Sequence, residues 1–124
     1  MIRISKDLSK DLTVFTATDE IVANDMIEVI EPLYSTEPTR FVIWDLSEAS
    51  GSFFKSDDID KIIEVVSKHS AKRIGGKTVL VASSVFAYGM SRMYEAKAEH
   101  SPIKIEYHVT HSMEEALRWL GIGD

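Results

Sequence analysis

The chain has no cysteine among its 124 residues. That excludes disulfides, thiolate nucleophiles and cysteine-held zinc, and it suits a reducing cytosol. Basic charge is also scarce, with 14 Lys and Arg against 20 Asp and Glu and a net charge of −6. Duplex nucleic acid requires a concentrated positive surface. The densest basic stretch, Lys72 and Arg73 with Lys77, is short and broken by Gly75 and Gly76, so no nucleic-acid partner is expected. Long apolar runs are missing too: MIRISKDLSK lacks the core of a secretory signal, and no stretch reaches membrane-spanning length. A cytoplasmic protein with no transmembrane segment is the expectation.

The common catalytic signatures are equally absent. Four histidines (His69, His100, His108 and His111) form no His-Glu-x-x-His pattern, so surface and capping roles are expected for them, with no metal. Gly75-Gly76-Lys77-Thr78 has part of a phosphate loop's composition but precedes a strand and lacks the full spacing. It reads as a turn, and no cofactor is expected. Ser83 and Ser84 lack a Gly-x-Ser-x-Gly elbow and an assigned base. Asp45, with Asp57, Asp58 and Asp60, could suggest magnesium, yet a strand-end turn and a capped helix explain the same residues. A hydrolase built on Asp45 or Ser84 ranks last, because no base pairs with a nucleophile.

What the chain does contain is the alternation of an α/β layer. Lys77 to Ala82 is a continuous apolar run rich in β-branched residues, as a strand covered on both faces requires. Beyond Ser83-Ser84 the period turns helical, with Phe86, Met90, Met93 and Lys97 on one stripe and Ala87, Tyr94 and Ala98 beside it. Met1–Ser5 and Leu12–Ala17 predict an antiparallel hairpin around a polar turn. Asp19 is expected to cap a helix over Glu20–Tyr34, which carries Val22, Met26, Val29, Ile30 and Leu33 and has Pro32 in its last turn. Arg40–Leu46 is the third strand and, with Val79–Val81, the expected sheet centre. Ser47–Lys55 reads as the longest irregular stretch.

Ser56 is expected to cap the next helix, whose buried stripe is Ile59, Ile62, Ile63 and Val66. Ile103–Val109 is the last strand, and Ser112–Glu115 a capping box before a helix that ends at Gly121. The order is β-β-α-β-α-β-α-β-α in one domain. Right-handed crossovers would make the last three strands parallel, and the opening hairpin makes the sheet of four or five strands mixed.

Two places resist a purely structural reading. Phe53 and Phe54 are adjacent aromatics in a polar loop, so one can seal the sheet end while the other meets a partner or an apolar ligand. Tyr88 and Arg92 are four apart on the face away from the main stripe. Between them Gly89 weakens the helix, for which either close helix packing or a functional surface is the expected reason.

The strand FVIWDLS and the run GKTVLVASSVFAYGMSRMYEAKAEHSPIKIEYHVTHSMEEALRWLG, above all AYGMSRMYE and EEALRWL, resemble the bacterial STAS/SEC14-like proteins. These are small domains with the fold of the sporulation anti-sigma-factor antagonist. The resemblance covers most of the chain and is strongest from Gly76 to Gly121. It implies a mixed sheet with helices packed on it and a non-enzymatic regulatory role through a protein partner; a homodimer is a further expectation. Antagonists of this group carry an Asp-Ser-Ser-Gly-like motif whose serine is phosphorylated. Here Asp45-Leu46-Ser47 matches the strand end, but the following loop is longer, and Ser56 is the nearest counterpart of that serine. A phosphate there would gain from the helix dipole and be repelled by Asp57 and Asp58.

The expected working surface therefore combines Phe53, Phe54 and Ser56 with Ser84, Tyr88 and Arg92. The alternative is a small apolar-ligand carrier, lined by Phe53, Phe54, Met90 and Met93.

Overall fold

In the computed structural model, which describes residues 1–50 and 55–123, the elements are β1 (Ile2–Asp7), β2 (Leu12–Glu20), α1 (Ala23–Ser35), β3 (Phe41–Ser50), α2 (Ser56–His69), β4 (Lys77–Val81), α3 (Val85–Glu99), β5 (Glu106–Thr110) and α4 (Met113–Leu120). The fold class is the expected α/β one. Five strands lie in the order of the sequence, with β1 antiparallel to β2 and all later pairs parallel. β3 is the middle strand, as the apolar run FVIW suggests.

A sheet that always advances toward the same edge through right-handed crossovers must carry its crossover helices on one face. The two apolar clusters follow that rule. Phe15, Val42, Trp44 and Leu80 pack with Ile30 of α1, Ile62 of α2 and Ala98 of α3. Leu12, Ile43, Val79 and Val81 point the other way and meet Ala116 and Leu120 of α4. Period-two alternation thus feeds two cores, and the thicker one lies under three helices.

Several boundaries differ from the sequence expectation. β2 continues through Asp19, which adopts a left-handed φ of 61°, so Asp19 is not a helix cap. The start of α1 is instead closed by Asp25, whose Oδ2 accepts from Val22 N at 2.9 Å. β3 runs to Ser50, through polar residues read as irregular. The pairing Thr16↔Asp45 is followed by Thr18↔Glu48, so β3 holds one extra residue there. Asp45 steadies this bulge, since Oδ1 accepts from Ser47 N at 3.1 Å and from Ser47 Oγ at 2.6 Å.

At α2, Ser56 is the first helical residue and not the cap. Lys55 holds the cap position, and its N donates to Asp58 Oδ2 at 2.8 Å. Ser112 does cap α4, accepting from Glu115 N at 3.2 Å. The last strand begins at Glu106, with Ile103 and Ile105 buried ahead of it.

Candidate functional site

The residues that the sequence singled out separate in space and in role. Phe53 and Phe54 lie outside the described residues. Ser56 is exposed at the start of α2. Ser84 caps α3, its Oγ accepting from Ala87 N at 3.0 Å. Tyr88 does not face away from the core. It is half-buried against the main cluster and stacks on His111, with ring centroids 4.4 Å apart. Arg92 is exposed and pairs with Glu95 at 3.2 Å. Gly89 has open space where a side chain would stand, so close helix packing is not its reason.

Three of the four carboxylates considered for magnesium have a local partner. Asp45 holds Ser47, Asp58 holds Lys55, and Asp60 pairs with Lys97 at 2.7 Å. Among the described residues, no group of three or more His, Asp or Glu side chains could hold a metal ion.

The buried stripe of α3 is turned by one residue from the expected one. Ser91 and Ala98 are buried, Ala87 and Tyr94 are half-buried, and Phe86 and Met93 are exposed. This rotation sets small side chains against the sheet and leaves a cleft beneath α1, α2 and α3. The cleft offers about 70 Å³ of room for water-sized molecules, within about 760 Å³ of free space that includes its open mouth. Ile21, Ala49 and Phe86 line the end of the cleft nearest the carboxyl ends of the strands, where open α/β sheets bind ligands. Trp44, Leu80, Ile62 and Met90 line the middle. The bulge in β3 has a direct effect here, because its extra residue brings Leu46 and Ala49 to the same side of the sheet. Trp44 is fixed by stacking on Phe15 at 4.3 Å.

The deep end is polar. Tyr34, Thr78, Ser91, Tyr94 and Tyr107 close it, and behind them lies Arg73, 2% exposed. Arg73 Nε donates to Thr39 O at 2.9 Å. NH1 donates to Tyr34 Oη at 2.7 Å and Thr78 Oγ1 at 2.8 Å, and NH2 to Arg40 O at 2.9 Å and Lys77 O at 3.0 Å. All these acceptors are uncharged, and no carboxylate among the described residues pairs with the guanidinium. Tyr94 Oη and Tyr107 Oη are 3.3 Å apart. Burial holds both phenols above the ordinary tyrosine range, so they stay protonated and can donate. No wholly buried side-chain nitrogen or oxygen lacks a partner among the described residues. The Ser91 hydroxyl, which takes part in none of the hydrogen bonds found among them, therefore opens onto the cleft.

The sequence reasoning missed Arg73, Tyr34 and Ser91. In the sequence Arg73 reads only as part of a short basic stretch, and its one positional signal is the Gly75-Gly76 turn beside it. A Cβ on Gly76 would approach Arg40 O to 2.8 Å and Arg73 O to 3.0 Å.

No protein-family model matches the chain, and no curated protein matches it. Among the described residues no helix is long and apolar enough to cross a membrane.

Proposed function

We propose that this protein binds a narrow, unbranched apolar chain in the cleft between the sheet and α1, α2 and α3, as a non-enzymatic cytoplasmic carrier or sensor. One observation carries the reading: a nearly all-apolar slot runs between the sheet and these helices and reaches the carboxyl ends of the strands. From the level of Val42, which pairs with Thr78, to Ala49 the slot runs beside β3 for the length over which β2 advances from Thr13 to Asp19, six steps once the bulge is discounted. At about 3.3 Å per step that is roughly 20 Å. A long slot with little width suits a chain better than a ring system. Met26 and Met90, both lining it, are flexible and can adjust to the chain's thickness.

Native mass spectrometry of the protein purified gently from its own host tests this. The expected result is one adduct of single-chain lipid size per protein, lost in Ala87→Trp, which fills the slot. A mass that stays ligand-free even after incubation with dodecanol would overturn it.

A second reading, a regulatory module that binds a protein partner or a second copy of itself, is favoured by the start of α3. There Val85 is 93% and Phe86 45% exposed, beside Ser84, one turn from Tyr88 and two from Arg92. If that surface works, Val85→Asp will release a partner recovered with the wild-type protein while the cleft remains intact.

A further inference from the structure

We infer that the deep end of the cleft selects a chain ending in a carboxylate, received by the hydroxyls of Tyr34, Ser91 and the Tyr94–Tyr107 pair in front of the buried Arg73. The inference rests on the chain-binding reading above and adds the chemistry of the ligand's head.

The argument begins with charge. A guanidinium removed from water with only neutral acceptors around it keeps its full positive charge in a medium of low dielectric constant. Every N–H of Arg73 is engaged, so the group satisfies its hydrogen bonds and still has no counter-ion among the described residues. The field it leaves is directed by its contacts. Tyr34 Oη accepts from NH1, which orients the Tyr34 proton away from Arg73.

The second part is the number of donors. Of Tyr94 and Tyr107, one phenol donates to the other, which leaves one proton of the pair unused. Ser91, 4% exposed, contributes an unused hydroxyl from α3. Residues carrying three such O–H groups, Tyr34 of α1, Ser91 of α3 and the Tyr94–Tyr107 pair, thus line the polar end of an otherwise apolar slot. A carboxylate accepts several hydrogen bonds on two oxygens and supplies the missing negative charge. An alcohol or a methyl ester accepts fewer and supplies no charge. Arg73 acts here as a positioning residue, through Tyr34 and Thr78, since its own donors are already used.

Titration calorimetry with dodecanoate, dodecanol and methyl dodecanoate on the wild-type protein, Ser91→Ala and Tyr34→Phe tests the assignment. Dodecanoate is expected to bind roughly tenfold or more tightly than the two uncharged probes. Both variants should shrink that preference while still binding dodecanol about as well as the wild type. Ser91→Ala removes no internal hydrogen bond, so its melting temperature will stay near that of the wild type and separate head-group loss from misfolding. Equal affinity for all three probes would overturn the carboxylate assignment and leave the chain-binding reading standing. A preference that survives both variants would also overturn it. Failure of every probe to bind would remove the chain-binding reading and this inference with it.

Discussion

Arg73 NH1 donates to Tyr34 Oη at 2.7 Å, and this bond joins the turn after α2 to the last part of α1. Lys72 completes the junction, with Nζ donating to Ser35 O at 3.0 Å and Thr36 O at 2.9 Å. These are carbonyls at the end of a helix, which lack partners within it. Two adjacent cations thus fasten the α1 terminus, one from the surface and one from within the core. Arg73 also holds Arg40 O before β3 and Lys77 O at the start of β4.

Replacing Arg73 is therefore expected to cost more than any surface change. Arg73→Met leaves several buried acceptors without a donor at about 1–3 kcal/mol each, so a loss of at least about 3 kcal/mol in urea unfolding is expected. Arg73→Lys should not restore the wild-type value, because an ammonium has three donors and no planar fork. Full recovery by lysine would show that charge alone matters there.

Gly89 lies inside α3 with no neighbour where a Cβ would sit. Gly89→Ala is expected to raise stability by about 0.5–1 kcal/mol through helix propensity alone, read from the urea midpoint. A loss would mean that the backbone at Gly89 is needed for a close approach.

The start of α2 offers a contrast between neighbours. Asp58→Ala removes the acceptor of Lys55 N and should cost about 0.5–2 kcal/mol, whereas Ser56→Ala should change stability by less than about 0.5 kcal/mol. The reverse order would restore Ser56 as the cap. Urea unfolding of both variants decides between them.

The phenols at the deep end set an alkaline limit. Burial raises Tyr94, and burial together with the neighbouring Tyr94 raises Tyr107. Their folded pKa values exceed the unfolded value of about 10. Their contribution is thus fully present below about pH 10. It falls above that, as the unfolded chain ionises first, and is lost as pH passes the folded values. A tyrosinate titration at 295 nm is expected to show at least two of the four tyrosines ionising only with alkaline unfolding. Smooth ionisation of all four near pH 10 in folded protein would contradict this burial.

Much of the fold was legible because its signals are local and redundant. The apolar run at Lys77–Ala82, the 3–4 spacing of Ile59, Ile62, Ile63 and Val66, and the glycine after α4 each allow one reading. The end of β3 was not legible, because Ser47, Glu48 and Ser50 have no apolar alternation and join the sheet through pairing with β2. α3 was misplaced by one residue because its buried face is made of Ala87, Ser91, Tyr94 and Ala98, while the larger Phe86 and Met93 stay exposed. The deep end of the cleft gave little signal, since a buried arginine and a surface one read alike until Tyr34, Thr39 and Thr78 are placed around it.

The central claim is that a chain lies in the cleft, and the two tryptophans report on it directly. Trp44 lines the slot, whereas Trp119 lies on the opposite face of the sheet with α4, stacked on His108 at 4.7 Å. A mid-chain-brominated dodecanol quenches indole fluorescence only at close range. With Trp119→Phe, which leaves Trp44 as the sole tryptophan, saturable quenching is expected. With Trp44→Phe, which leaves Trp119, the same titration should give almost none. Equal quenching of both, or none of Trp44, would contradict a chain bound between the sheet and α1, α2 and α3.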